Sequence, residues 1–485
     1  METHALVLGG GIAGLTIALR WKRQHLDWNV RVAEARPRFG GRIYSIIDSD
    51  SQAFVHDSGA WRLHRTHRRM RALATELGIK LVKTHAQPEH ATSALAASRA
   101  RVPDLSAATV PGFTIKQSLA FRLRPEQIDE VERSTGFVSS LDGGRRTYSV
   151  GSRKDTGTFF TTDCGISAFI DRLVEECRRA GVVLSLNTRA VSVKKKQNKY
   201  KVTLARRDGD EFTRETQTAD YVASTLTPDC LKKVRVNFRT HIAPALASVE
   251  SMSLVRVYAH LKPPRKLARP VMHVTGDILG QIISVSPTKL MLVYAAGWMT
   301  GWHQKSFMLD RQIYTKNLQK LYEEQRSSNP DLNLPQTTEL DWEHLCQCFW
   351  EHAVHRWRPQ AFRPDRRPPV DLCVHPHIQL PNFFLLNEAF SSEQGWAEGA
   401  LECVEIALSP RRPVYARPRV RQPYHIVFDK RLIDVRVWMD QHPGGRQAIE
   451  NHLKDEDSTA LILHVHNHSS QVMAYMMGMQ DGFST

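Results

Sequence analysis

Long apolar runs are missing from this chain. Nowhere do 18 consecutive apolar residues occur, so no membrane-spanning helix is expected. Cysteine is sparse: Cys164, Cys177, Cys230, Cys346, Cys348, Cys373 and Cys403 are scattered, odd in number and contain no CxxC pair. Neither a disulfide framework nor a zinc site is indicated, and a reducing, intracellular and cytoplasmic setting fits. Strand-like residues begin at Ala5, which leaves no room ahead of them for a targeting segment. No internal repeat is evident.

Acidic residues are in deficit. Lys and Arg number 66 against 50 Asp and Glu, a net charge of +16. The excess falls in short clusters, HRTHRRMR at 64–71, KKKQNKYK at 194–201 and RRPVYARPRVR at 411–421. No nucleic-acid motif accompanies them, so solvated faces and a basic linker are the expectation, without a specific nucleic-acid partner. A hydrophobic content of 41% and charged content of 24% are ordinary for a globular protein. The length of 485 residues implies two to four domains.

What is present begins at ALVLGGGIAGL. Gly9, Gly11 and Gly14 form GxGxxG between a strand pattern and a helix pattern. That arrangement gives a tight turn, a close backbone approach to a pyrophosphate and helix N–H groups facing it. Glu34 closes the next strand, where a carboxylate binds ribose hydroxyls. In VAEARPRFGGRIYS (32–45), Gly40 and Gly41 let backbone approach a cofactor while Arg36 and Arg42 neutralise its phosphates.

Glu34, Arg36, Gly40, Gly41 and Arg42 resemble the second signature of the flavin amine oxidases, the monoamine, polyamine and L-amino-acid oxidase group. NFFLLNEAFSSEQGWAEGALECVEIAL (382–408) resembles that family's closing segment, although Asn387 replaces a usual glycine. The resemblance implies FAD, with Glu388 on its ribityl or ribose portion and Gly395 to Ala400, Ala397 among them, placing a helix N-terminus against the flavin ring. It implies Trp396 as one wall of an aromatic cage, Gly59 in VHDSGAWRL beside the ribityl chain, and Val191 offering backbone to adenine. Ser58 and Cys164 stand where glycines are common. Lys262, with His260 as rival, is the candidate for the family's water-holding lysine. His355, Trp357 and Arg358 are candidate pocket residues.

The C-terminal stretch IVFDKRLIDVRVWMDQHPGG (426–445), followed by DSTALILHVHNHSS, resembles the cytochrome b5 fold entry. The resemblance implies haem b held by His442 and His468, with His466 as the rival second ligand. The proline- and arginine-rich stretch 409–423 reads as a linker.

The expected architecture is an α/β Rossmann-type FAD-binding domain with an α+β substrate domain, plus a small C-terminal α+β cytochrome b5-like domain. FAD-binding segments fall at 1–84, 161–248 and 376–408, a substrate-domain segment or insertion at 85–160, the substrate domain at 249–375, and the haem module at 424–485. The expected activity is FAD-dependent oxidation of a small amine or amino acid, with oxygen or a redox protein such as the b5-type haem accepting electrons. A desaturase or dehydrogenase of the same superfamily is the alternative, and a non-catalytic flavin-fold scaffold or electron-transfer protein the third reading.

Overall fold

The computed structural model describes residues 2–48, 50–51, 54–87, 114–119, 124–134, 158–358, 369–409, 425–428, 431–435, 439 and 446–453. Its centre is a five-stranded sheet in the order Phe383–Leu385, Tyr221–Ser224, His4–Leu8, Asn29–Ala33 and Val183–Ser185. Every pairing in it is parallel. Such strands are covered on both faces, which is why LVLG and VRVA read as nearly continuous apolar runs. The helices Ile12–Gln24, Ala168–Arg179 and Ala397–Leu408 supply the cover. Leu15, Ile17, Phe169, Leu173 and Cys403 are wholly buried in one core with Leu6, Val32 and Phe383.

A four-stranded sheet flanks this core. Glu211–Ala219, Lys199–Asp208 and Thr188–Lys196 form an antiparallel meander, joined in parallel by Arg235–Val236. Gly209, at φ +58, and Asp210 make the turn between Lys199–Asp208 and Glu211–Ala219.

A second five-stranded sheet, antiparallel throughout, runs Met272–Val274, Gln281–Ser286, Lys289–Ala296, Val249–His260 and Cys346–Trp357. Its apolar face packs on the long helix Arg311–Ser328 through Tyr314, Leu318 and Tyr322. Asp310 caps that helix, accepting from the Gln312 and Ile313 amides at 2.8 and 2.9 Å. The strand Phe159–Thr161 pairs with Leu63–His64 and Val82–Lys83, tying the segment after 158 to the segment before 84.

Near the C-terminus, His425–Phe428 pairs antiparallel with Arg431–Asp434, and a short helix spans Arg446–Glu450. His442, His466 and His468 lie outside the described residues. Among the described residues, no helix is long and apolar enough to cross a membrane.

Candidate functional site

The first strand ends at Leu8, and Gly9 turns the chain at φ +106 while its amide donates to Ala33 O at 2.8 Å. The helix Ile12–Gln24 then starts at Gly11 with no side-chain cap and no acidic residue in its first turn. Its N-terminal N–H groups and partial positive charge therefore face the ends of the parallel strands. A Cβ on Gly14 would lie 2.0 Å from Gly9 O, so only glycine lets the helix sit this close to the turn.

The Gly40–Gly41 turn closes the other side. Gly11 and Gly40 form a parallel bridge, and the Gly40 amide donates to Gly10 O at 2.8 Å. Buried Glu34 ties both loops, accepting from the Gly10 amide at 2.7 Å and the Arg36 amide at 2.9 Å. Each carboxylate oxygen keeps a further lone pair for a hydroxyl. An uncapped helix start, two glycine turns and a buried carboxylate at a strand end are the donor and acceptor set that a dinucleotide needs. The residues fit FAD.

Two arginines behave differently here. Arg36 is exposed, its guanidinium carbon 5.6 Å from the centre of the Trp350 ring. Arg38, which the sequence reading passed over, lies 3.9 Å from the Tyr44 ring centre and donates to Gly41 O at 3.0 Å and Phe39 O at 3.2 Å. It braces the glycine turn from within.

Arg42 reaches across the molecule. It donates to Ala353 O at 2.8 Å, to Asn387 Oδ1 at 3.3 Å and to Glu388 Oε2 at 2.5 Å. The other Glu388 oxygen meets His355 Nδ1 at 2.8 Å, and His355 Nε2 is buried without a partner among the described residues. Burial alone would push Glu388 upward in pKa; Arg42, then His355, outweigh it and hold the carboxyl well below its ordinary range. Gly59 lies against Arg42, since a Cβ there would stand 1.8 Å from Arg42 O. Of the three candidate pocket residues, His355 joins this cluster, Trp357 is core with its indole donating to Ser391 O, and Arg358 is exposed.

The closing helix opens as expected: Gly395 at φ +80, Trp396 as the uncapped N-cap and Ala397 as first helical residue. A Cβ on Gly399 would meet Ser391 Oγ at 2.1 Å, which seats the helix start against the 388–391 turn. The Trp396 ring faces Phe159 at 6.2 Å and an interplanar angle of 12°, with His67 edge-on at 4.7 Å. The Arg62 guanidinium lies over the Phe159 ring at 4.1 Å. Glu398 reaches back to accept from the Arg69 and Met70 amides, capping the helix Arg68–Glu76. Part of the 64–71 basic cluster is thus absorbed structurally, because Arg69 also pairs with Glu405.

Val191 is the extra residue of a β-bulge. Thr203 pairs with Ser192 and Leu204 with Ala190, so the Val191 backbone stands outside the regular ladder.

Lys262 lies apart from these groups. It is exposed in the turn after the strand Val249–His260, its amide donating to Glu339 O at 2.8 Å. Ser251, near the other end of that strand, is the register partner of His355. At about 3.3 Å per residue, roughly 35 Å of chain separates Lys262 from that point. The structure does not bring Lys262 or exposed His260 to the Glu388 cluster. A lysine at a strand end carried no signal of which end faces the site.

A Rossmann-type sheet, a glycine-rich helix start and a second antiparallel sheet define an FAD-binding oxidoreductase scaffold. The sequence pattern of the flavin-containing amine oxidoreductases matches residues 12–135 and 154–403, and the chain belongs to that family. It is an FAD-dependent oxidoreductase. Its fold is similar to the crystal structure of a protein from Exiguobacterium sp. 255-15, provisionally described as a protoporphyrinogen oxidase. That likeness has 15% identity and a TM-score of 0.57, over 84% of this chain and 99% of that one. No curated protein matches the chain in sequence. The family match ends at Cys403, ahead of the 424–485 stretch read as a haem module.

Proposed function

We propose that the protein oxidises the C–N bond of an amine or amino acid. The observation that supports this reading is the near-parallel pairing of Trp396 with Phe159 at the start of the closing helix. Aromatic faces there present negative quadrupole to an approaching ammonium group. FAD, when bound, accepts the hydride. The Glu34 carboxylate and the Gly9–Gly14 turn hold the nucleotide half, while Arg42 and Glu388 fix the segment between the two sheets. Neutral His67, edge-on to Trp396, keeps that indole in place.

The test is anaerobic mixing of the FAD-loaded protein with a panel of primary amines, polyamines and L-amino acids, followed by flavin absorbance. Bleaching by one of these classes, with peroxide formed on readmitting air, supports the reading. Bleaching only by a carbocyclic or porphyrinogen compound favours carbon–carbon desaturation. Arg62 over Phe159 supports that second reading, because a fixed cation on the aromatic face competes with an ammonium substrate. Tight FAD with no reductant in either panel returns the scaffold reading.

For the C-terminal stretch, the proposal is a haem b module with His442 and His468 as ligands, supported by their sequence context and by the 425–434 hairpin ahead of His442. A Soret band on adding haemin, lost in His442→Ala, is the expected result; its absence from the wild-type chain overturns the proposal.

A further inference from the structure

Cys346 and Cys348 stand two residues apart on the strand Cys346–Trp357, so their side chains share one face of the sheet. His56, on the strand Phe54–Asp57, comes in over that face. Its Nε2 lies 3.2 Å from Cys346 Sγ and 3.6 Å from Cys348 Sγ, and the three donor atoms all fall within 4.8 Å of one another. His56 and Cys348 are buried, and Cys346 is half-buried. Neither cysteine is in a disulfide. No step assigned to the flavin site uses any of the three.

We propose that His56, Cys346 and Cys348 form a binding site for a thiophilic divalent metal ion, with Zn2+ as the ion the donor set fits. The spacing is the first argument. A tetrahedral zinc with Zn–S near 2.3 Å and Zn–N near 2.0 Å separates its ligand atoms by roughly 3.5–3.8 Å. The two sulfur–nitrogen distances lie at or within 0.3 Å of that range.

Charge is the second argument. Two thiolates and a neutral imidazole carry two negative charges, and Zn2+ brings the group to zero, which suits a buried place. Without the ion, the same atoms form a hydrogen-bonded set, with His56 Nε2 within reach of both sulfurs. Binding displaces the thiol protons as Zn–S bonds form, and no electron transfer is involved.

The surroundings hold the donors in place. The His56 ring stacks on Tyr258 with centroids 4.3 Å apart. Tyr258 Oη donates to Asp57 O at 2.8 Å, and Lys289 Nζ donates to Val55 O at 2.5 Å, so the backbone on both sides of His56 is pinned. Lys289, lowered to about 8 by burial, is the charged neighbour that the site must accommodate. No zinc site was expected from the sequence, where no CxxC pair exists; His56 lies 290 residues from Cys346, a partnership that spacing does not reveal.

The test uses the full chain, reduced, metal-free and loaded with FAD. Titration with Co2+ is expected to give one equivalent bound per chain, with thiolate-to-cobalt charge-transfer absorption that Zn2+ bleaches. The Cys346→Ser/Cys348→Ser double variant is expected to lose more than about 100-fold in affinity. A Cys164→Ser/Cys230→Ser variant, which removes the two exposed thiols, is expected to bind as wild type. Because the first variant can fail by misfolding, Zn2+ protection from thiol alkylation is mapped by mass spectrometry on the wild-type chain. Protection of Cys346 and Cys348 supports the site. Absence of saturable binding, or protection confined to other cysteines, overturns it.

Discussion

Arg42 and Glu388 are 346 residues apart in sequence and 2.5 Å apart in space. Arg42 ends the GGR turn and Glu388 lies in the closing segment, so one ion pair joins two family signatures. Replacing Glu388 by Gln leaves Arg42 and His355 facing a neutral amide in a buried place. Breaking a buried pair from one side costs about 3–5 kcal/mol. Glu388→Gln is therefore expected to lower the denaturation midpoint clearly and to purify with less flavin, read by thermal melting and by the flavin-to-protein absorbance ratio.

Gly14→Ala places a methyl 2.0 Å from a backbone oxygen, where no side-chain rotation relieves it. The helix start must move off the turn, and flavin content is expected to fall to near zero. Gly301→Ala is the matched control. Nothing lies within 4 Å of its Cβ, and it sits inside the helix Trp298–Leu309. That variant is expected to keep its flavin and to gain about 0.5–1 kcal/mol in urea denaturation.

Acid should weaken the fold through His67. Its Nδ1 accepts from the His64 amide at 3.1 Å, and burial, with His64 nearby, lowers its pKa to about 3. The unfolded chain takes up this proton near pH 6.5, so it binds more protons than the native state between about pH 6.5 and 3. The stability this group contributes is present above that window and falls as pH drops through it. His67→Gln is expected to flatten that part of the stability-against-pH curve, measured by chemical denaturation.

Trp396→Ala removes one of the two facing rings at the closing helix. With an ammonium substrate, kcat/KM is expected to drop by roughly 10- to 30-fold, the worth of about 1.5–2 kcal/mol of cation–π attraction. Trp396→Phe should recover most of it. Equal activity in both variants would remove the cage from the proposal.

The glycine signatures were legible in the sequence because much of their constraint is local: Gly14 answers to Gly9 O, and Gly9 and Gly41 hold positive φ. Strand and helix patterns followed from burial on one or both faces. What the sequence did not disclose depends on distant partners. His355 was a candidate pocket residue, but nothing in the sequence paired it with Glu388. Arg38 looked like its neighbours, and its place over Tyr44 depends on the direction in which the glycine turn folds back. Lys262 falls away from the Glu388 cluster, because periodicity identifies a strand without saying which of its ends approaches distant partners.

The central sheet sets a schedule for biosynthesis. Its middle strand is complete at Leu8, but an outer neighbour of Tyr221–Ser224 is not made until Phe383–Leu385. At 5–20 residues per second, a ribosome needs on the order of 20–80 s to deliver that last strand. Until then Val222 and its neighbours present an open, apolar edge, the kind that templates wrong pairings. The nascent chain is therefore a natural client for holding chaperones, and a protein truncated before Phe383 should remain one.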